Sequence, residues 1–249
     1  MPERCDSFTG PHPLLGGPFF FARRRSSMNI IKLESDAANT AEAINESVRV
    51  LEQGGLVCLP CKGTYRILAD LNNADAVMRV FQSKRRVHKA PCLVFIDKIN
   101  RLHEVAADVD PAASALMKAI WPGGLTILFE ASDSIPRAVV KQLTKANGKI
   151  GVRIPESHLV RQIVERFAAP VLVSSANRGN KSGESSPAQV RKNFVGRVDL
   201  FVDAGDLPSA PGSTVVDVTD EEIVIVRQGS VPKARIEAVI EAMDEDLDG

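Results

Sequence analysis

Apolar and polar residues follow two alternating periods along this chain, and the two periods predict helices and strands in turn. Apolar residues recur at every third or fourth position, which is helical spacing, in segments 39–55, 73–86, 98–106, 111–120, 135–143, 157–168, 187–194 and 231–243. Short apolar and β-branched runs predict strands at 56–60, 92–96, 125–129, 150–154, 170–174, 199–203, 213–218 and 222–227, after a first strand in "MNIIKL" from Met28. Asn39 or Thr40 is expected to cap the first helix, and Gly54 and Gly55 to end it.

This order of elements predicts an α/β domain with a twisted sheet flanked by helices. The last three strands follow one another too closely for crossover helices, so part of the sheet is expected to be antiparallel. The sheet should therefore mix parallel and antiparallel pairs. No interior segment has the composition of a linker, and residues 28–240 are predicted to form one domain.

The two ends of the chain differ from this domain. Residues 1–27 combine proline, glycine, a run of three phenylalanines and three consecutive arginines, and are expected to be a disordered extension. A targeting peptide is the alternative, but Glu3 and Asp6 argue against a transit peptide. Residues 241–249 are expected to form an acidic tail.

Overall charge gives no reason to expect nucleic-acid binding. The 31 basic residues balance the 31 acidic residues, although a local basic patch remains compatible with that total. No apolar run approaches the roughly 20 residues of a membrane span. The four cysteines do not form a disulfide framework in a chain of this length, so a reducing, cytoplasmic location is expected.

Cys58 and Cys61 form a C-x-x-C pair, which raises the possibility of redox chemistry. A redox pair of this kind places its first cysteine at a helix N-terminus, whereas here the pair lies along a predicted strand. The favoured interpretation is one core cysteine and one loop cysteine. The histidines form no recognisable metal-binding motif, and no resident metal site is predicted.

Three segments carry candidate ligand-binding chemistry. "SKRRVHKAP" (83–91) ends a predicted helix with basic residues, which either complement the helix dipole or bind phosphate. "WPGGLTILF" (121–129) is either an anion-binding concavity of backbone N–H groups or an ordinary connection. In "SSANRGNKSG" (174–183), Ser175 has no evident base, so ligand binding is favoured over nucleophilic catalysis.

Considered together, these blocks resemble the Sua5/YrdC/YciO family, which includes threonylcarbamoyl-AMP synthases. The matching blocks, in the family's order, are "GGLVCLPCKGTYRIL", "VMRVFQSKRR", "WPGGLTILF", "GVRIP", "PVLVSSAN", "DAG" and "GSTVVDV…IVRQG". The resemblance implies a single YrdC-like domain with a large basic cleft. It also implies an enzyme that joins L-threonine, bicarbonate and ATP, with Mg²⁺, into threonylcarbamoyl-AMP and pyrophosphate. Downstream transferase proteins would then modify tRNA.

The resemblance also implies two sets of site residues. The nucleotide-binding set is Lys84, Arg86, Lys149, Ser175, Asn177 and Arg227. The threonine-binding set is Gly63, Tyr65, Arg153 and Ser213, with Arg153 receiving the amino-acid carboxylate. No covalent nucleophile is expected.

Some positions depart from the family pattern, chiefly on the threonine side. Cys61 and Gly63 stand where the family has threonines, and Arg66 stands where it has a glycine, adding bulk and charge. The segment from Arg178 to Gly183 also differs. Two hypotheses follow: a threonylcarbamoyl-AMP synthase, or a divergent YciO-like protein that binds nucleotide or structured, double-stranded RNA without threonine-dependent activity.

Overall fold

The computed structural model describes residues 28–84, 92–144, 148–177, 184–220 and 223–248, with side chains as far as residue 243. Within these ranges the strands are β1 Asn29–Lys32, β2 Val57–Cys61, β3 Thr64–Asp70, β4 Cys92–Phe95, β5 Leu125–Glu130, β6 Lys149–Arg153, β7 Val171–Ser175, β8 Leu200–Asp203, β9 Thr214–Asp217 and β10 Val224–Arg227. The helices are α1 Ala37–Glu52, α2 Ala74–Lys84, α3 Pro111–Ile120, α4 Arg137–Leu143, α5 His158–Phe167, α6 Pro187–Phe194 and α7 Lys233–Asp248.

All ten strands belong to one open sheet, in the order β1-β8-β2-β3-β7-β4-β6-β5-β9-β10. Parallel pairs join β1 to β8, β2 to β8, β4 to β6 and β5 to β9. The remaining neighbours are antiparallel, including β2 with β3 and β9 with β10. The predicted single α/β domain with a mixed sheet is confirmed.

Helices cover the two faces of the sheet unequally, and each face has its own apolar cluster. The first face carries α1 and α5, whose buried residues, such as Ile44 and Ile163, pack on alternate positions of the central strands. The second face carries the larger cluster, to which α2, α3, α4, α6 and α7 contribute, as with Val77 of α2 and Phe194 of α6. The first face therefore has fewer helices above it, and a cavity opens there.

Helix α1 begins earlier than its sequence suggests. Its N-cap is Asp36, whose carboxylate accepts hydrogen bonds from the backbone N–H groups of Ala38 and Asn39. The expectation that Asn39 or Thr40 caps the helix is wrong. The Asn39 side chain instead ties the preceding loop together, since its Nδ2 donates to the carbonyl of Lys32 at 3.0 Å.

Strand β3 was not predicted, although it lies near the middle of the sheet. It forms a hairpin with β2 through a two-residue turn, in which Gly63 adopts a positive φ of 72°. A Cβ at Gly63 would lie 2.8 Å from the backbone nitrogen of Ala210, so close packing as well as φ favours glycine there. Position 63 therefore offers a ligand only backbone atoms.

Tyr65 anchors β3 to a distant loop from the second face of the sheet. Its hydroxyl donates to the carbonyl of Gly205 at 2.7 Å and accepts from the N–H of Ala204 at 3.0 Å. Its ring meets that of Phe201 edge to face at 5.2 Å. Burial, the largest cause, raises the pKa of Tyr65 to about 12, so the hydroxyl stays protonated and holds the loop.

Lys149 forms an ion pair at the beginning of β6. Its ammonium donates to the carboxylates of Asp217 at 2.8 Å and Asp220 at 3.1 Å. Burial opposes ionisation of Asp217, but the hydrogen bonds from Lys149 and Thr219 outweigh it and lower the pKa of that carboxyl. This pair ties β6 to the end of β9, across the intervening strand β5.

The two ends of the chain differ in how far the structure describes them. Residues 1–27 lie outside the described residues, whereas α7 continues to Asp248, into the segment expected to be an acidic tail. None of the helices within the described ranges combines the length and apolarity that a membrane crossing requires.

We expect Tyr65→Phe to lower the free energy of unfolding by about 1–3 kcal/mol, because it removes two part-buried hydrogen bonds, each worth about 0.5–1.5 kcal/mol. Urea denaturation followed by circular dichroism measures the change. Asn100→Ala, at an exposed position, is the control and should change stability by less than about 0.5 kcal/mol. Equal stability of Tyr65→Phe and the wild type would contradict this role.

We expect the Lys149–Asp217 pair to make stability depend on pH below the ordinary aspartate pKa of about 3.9. Because the folded pKa of Asp217 is lowered, its contribution is complete above that value and is lost as pH falls. Denaturation at successive pH values should show Asp217→Asn losing about 1 kcal/mol less on acidification than the wild type. Asp133→Asn, at an exposed position, should follow the wild-type curve, and coincident curves for all three proteins would contradict the prediction.

Candidate functional site

A small cavity opens on the α1–α5 face, where β2, β3, β4 and β6 approach the segment before β9. It is lined by Cys61, Lys62, Arg66, Leu93, Phe95, Arg153, Pro211, Gly212, Ser213 and Ser230. The side chains leave room for about one water molecule between them. Three of the ten lining residues are cationic, so the cavity is suited to a small anionic group.

Arg153, the last residue of β6, is the most buried of these cations, with only 6% of its surface exposed. Its Nε donates to the carbonyl of Gly123 at 2.5 Å, and its guanidinium lies 6.0 Å from the centre of the Phe95 ring. Glu156 approaches it at 3.8 Å. Burial lowers the pKa of Arg153, and Arg66 and Arg227 act in the same direction. The guanidinium is thus fixed in orientation while several of its N–H groups remain available to a carboxylate.

The connection between α3 and β5 provides the carbonyl that orients Arg153. Gly124 packs so tightly that a Cβ there would lie 2.0 Å from the Oγ of Ser230. The N–H of Gly123 donates to the carbonyl of Ile154 at 3.1 Å, so it does not point freely toward an anion. This segment therefore positions an arginine. The Gly123 N–H, which already has a carbonyl partner, does not contribute to a backbone anion-binding concavity.

Ser213 and Arg227 form the neighbouring part of the site. The guanidinium of Arg227 donates to the carbonyl of Ser213 at 2.8 Å and to its Oγ at 3.1 Å, and the hydroxyl of Thr126 donates to the same Oγ at 2.9 Å. Arg227 was assigned to the nucleotide side, and the structure places it on Ser213, which was assigned to the threonine side. Arg153, Ser213 and Arg227 are thus brought together.

A second polar group forms at the end of β7. Lys84 is 5% exposed, and its ammonium donates to the hydroxyls of Ser174 at 2.7 Å and Ser175 at 3.3 Å. Ser175 in turn donates to the side-chain oxygen of Asn177. The Ser175 hydroxyl therefore faces a cation and an amide, which suits ligand binding and gives no general base for nucleophilic attack. Lys84, Ser175 and Asn177, predicted together, are found together.

Arg66 adjoins both groups, although its local sequence did not indicate it as a site residue. Its neighbours across the sheet are Ser175 on β7 and Leu59 on β2, and its side chain lines the same cavity as Arg153. Burial lowers the pKa of Arg66, and the charge of Arg227 adds to this effect. Recognising β3 as a strand would have indicated Arg66, because alternation places residue 66 on the face opposite Tyr65.

Three predicted site residues that the structure describes, Tyr65, Gly63 and Lys149, belong to neither polar group. Tyr65 faces the other side of the sheet, and Gly63 lies in the hairpin turn. Lys149 shares a face with Arg153 but lies four residues away along β6, about 13 Å, with its ammonium on two carboxylates. Arg86 lies outside the described residues, as do the segment 178–183 and most of the basic run 83–91. The nucleotide roles of Lys149 and Arg86 stay predictions.

The two cysteines of the C-x-x-C pair point to opposite faces of β2. Cys58 belongs to the second-face cluster and Cys61 to the first-face cluster, and both are buried as free thiols. Cys61 is therefore the last residue of a strand. The expectation that it is a loop cysteine is wrong. Burial raises the pKa of both thiols, which disfavours thiolate chemistry.

Comparison with known proteins gives this geometry a context. The family model Sua5_yciO_yrdC, described as "Telomere recombination", matches residues 49–229. The threonylcarbamoyl-AMP synthase of Pyrococcus abyssi is 30% identical over 207 residues, which are 81% of this chain and 60% of that protein. A Bacillus subtilis protein of the same name is 28% identical over 79% of this chain and 56% of its own length. This chain thus spans less than two thirds of each of these two relatives.

Solved structures agree with the sequence matches. The structure of P. abyssi Sua5 complexed with L-threonine superposes with a TM-score of 0.74 and 27% identity, covering 86% of this chain and 60% of that one. Escherichia coli YciO superposes with a TM-score of 0.72 and 24% identity over 85% of this chain and 99% of that one, which supports the fold. A single α/β domain, the family match and 30% identity to a relative agree, and the chain belongs to the Sua5/YciO/YrdC family.

Proposed function

We propose that this protein is an ATP-dependent L-threonylcarbamoyladenylate synthase, a nucleotidyltransferase acting in tRNA modification. The observation that carries the proposal is a pair of polar groups, one around Arg153 at the end of β6 and one around Lys84 at the end of β7. Arg153 with Ser213 forms an acceptor for an amino-acid carboxylate, and Lys84 with Ser175 and Asn177 forms a cationic group suited to phosphate. Two relatives named threonylcarbamoyl-AMP synthase, and one related structure holding L-threonine, support this interpretation.

The proposed reaction has two steps. The amine of threonine combines with bicarbonate and loses water to form a carbamate. A carbamate oxygen then attacks the α-phosphorus of ATP, and the bond to the leaving oxygen breaks as pyrophosphate departs. Negative charge gathers on phosphoryl oxygens, so the reaction depends more on positioned cations than on an acid–base pair.

The cations for this step come from two sources. The Lys84 ammonium lies on the nucleotide side, and Arg153 and Arg227 lie on the acceptor side. Within the described ranges, no three His, Cys, Asp or Glu side chains are grouped to hold a metal ion. We propose that Mg²⁺ enters on the triphosphate, as part of the ATP substrate.

The proposal extends to partners and location. Threonylcarbamoyl-AMP is a reactive mixed anhydride, so a transferase protein must accept the threonylcarbamoyl group and place it on tRNA. We propose a cytoplasmic location, where ATP, tRNA and a reducing environment keep the substrates and the free thiols available.

A second candidate function is nucleotide or structured-RNA binding without threonine-dependent synthesis, as in a YciO-like protein. The observation that favours it is the small free volume of the cavity, in which the Arg66 side chain takes space. RNA held by such cations would dissociate steeply as salt concentration rises.

We expect the purified protein, incubated with ATP, Mg²⁺, bicarbonate and L-threonine, to release pyrophosphate and form threonylcarbamoyl-AMP. Coupled pyrophosphate detection and mass spectrometry of the adenylate measure the two products. Reactions that lack threonine or bicarbonate are the controls. If neither product forms while ATP still binds, the synthase proposal fails and the binding function is favoured.

We expect Arg153→Lys to raise the KM for threonine about tenfold or more, because lysine cannot bind Gly123 and a carboxylate with one planar group. The KM for ATP should change by less than about twofold, since Arg153 lies on the acceptor side. Lys84→Met is the reciprocal variant and should weaken ATP more than threonine. An equal loss for both substrates in both variants would contradict the division of the site.

A further inference from the structure

The charges around the cavity do not balance. Arg66, Arg153 and Lys62 line it, and Arg227 borders it through Ser213. Among the described residues, the carboxylate next to these cations is that of Glu156. It already pairs with the Lys62 ammonium at 2.8 Å and the Arg153 guanidinium at 3.8 Å. The described part of the molecule thus holds more positive than negative charge at this point.

Among these cations, Arg66 has the fewest described partners for its charged group. Lys62 has Glu156, Arg153 has Gly123 and Glu156, and Arg227 has Ser213. No carboxylate or carbonyl among the described residues lies within hydrogen-bonding distance of the Arg66 guanidinium. A half-buried guanidinium without an anion is costly, and it keeps its charge because arginine does not deprotonate in proteins. An anionic ligand would remove that cost.

The position of Arg66 identifies which anion it would meet. Its strand neighbour Ser175 belongs to the nucleotide group, and its cavity neighbour Arg153 belongs to the acceptor group. In the proposed reaction, the carbamate lies between these groups, joined to the amino acid on one side and attacking phosphorus on the other. Bicarbonate and the carbamate it forms are small and anionic, which suits a cavity with three cationic side chains in its lining.

We propose that Arg66 is a substrate-binding residue that holds bicarbonate, and then the carbamate carboxylate, between the two groups. This assignment rests on the proposed synthase function of the same site. The amine nitrogen bonds to the bicarbonate carbon, water leaves, and the carbamate oxygen facing phosphorus displaces pyrophosphate. Arg66 binds the bicarbonate-derived oxygens by paired N–H donors throughout, and no proton passes to it.

Arginine at this position also explains how the site tolerates the loss of the family's threonines. The hydroxyl expected at position 61 is absent, and the guanidinium of Arg66 brings several N–H donors to the cavity that Cys61 lines. The site would thereby exchange neutral hydroxyl donors for a charged one.

The test measures bicarbonate binding directly, without turnover. [¹³C]Bicarbonate is titrated with the full-length protein, Mg²⁺ and the non-reacting analogue α,β-methylene ATP, and the ¹³C line width is recorded. We expect protein-dependent broadening in the wild type and its loss in Arg66→Gln, with partial recovery in Arg66→Lys. Arg235→Gln, at an exposed position on α7, is the matched control and should broaden the line as the wild type does.

Kinetics provide the second measurement. Arg66→Gln should raise the bicarbonate KM about tenfold, while the KM for threonine changes less than about twofold. Unchanged broadening in Arg66→Gln, absence of broadening in the wild type, or a rise confined to the ATP KM would each overturn the assignment. If the broadening depends on Arg66 but the protein releases no pyrophosphate, the anion site is supported and the synthase proposal is refuted.

Discussion

The hydrogen bond from the Arg153 guanidinium to the carbonyl of Gly123 is the contact on which the candidate site depends. It buries a permanent cation at the end of β6 and fixes its plane, which a charge in such a place requires. The tight packing of Gly124 on Ser230 keeps that carbonyl in position. The same segment also binds β9, because the N–H of Thr214 donates to the carbonyl of Gly124 at 2.9 Å. The loop before β5 thus organises both halves of the acceptor group.

Around this contact the site is built from cations held by neutral oxygens. Arg227 rests on the carbonyl and hydroxyl of Ser213, and Lys84 rests on the hydroxyls of Ser174 and Ser175. Neutral partners orient a cation without cancelling its charge, whereas the Glu156 carboxylate, 3.8 Å away, partly offsets the charge of Arg153. The Lys149 ammonium differs, because it lies on two carboxylates, those of Asp217 and Asp220.

The sequence predicts those parts of the fold whose evidence is local. Helix α2 was predicted from apolar periodicity and strand β7 from a continuous apolar run, and both are buried where those patterns indicate. Strand β3 was missed because its residues were considered as part of a motif next to a glycine. A two-residue hairpin turn also provides few turn residues to separate one strand from the next in the sequence. The Asp36 cap was missed because the polar residues around it offered several plausible caps.

The site residues were predictable where the family resemblance named them. They were less predictable where contacts between distant parts of the chain determine the partners of a side chain. Lys84, Ser175 and Asn177 are together, as are Arg153 and Ser213 with Arg227. The partners of Lys149 come from residues some 70 positions away, which no local pattern reveals.

The alternation of side chains along β3 also has a consequence for how the chain reaches its native state. Arg66 faces the cavity, and Tyr65 and Ile67 on either side of it are completely buried on the other face. A one-residue slip of this central strand would drive a guanidinium into the apolar core and expose two large apolar side chains. Misregistered sheets would therefore be strongly disfavoured during folding. Arg66, which stands where the family pattern has a glycine, thus also disfavours mispairing of this strand.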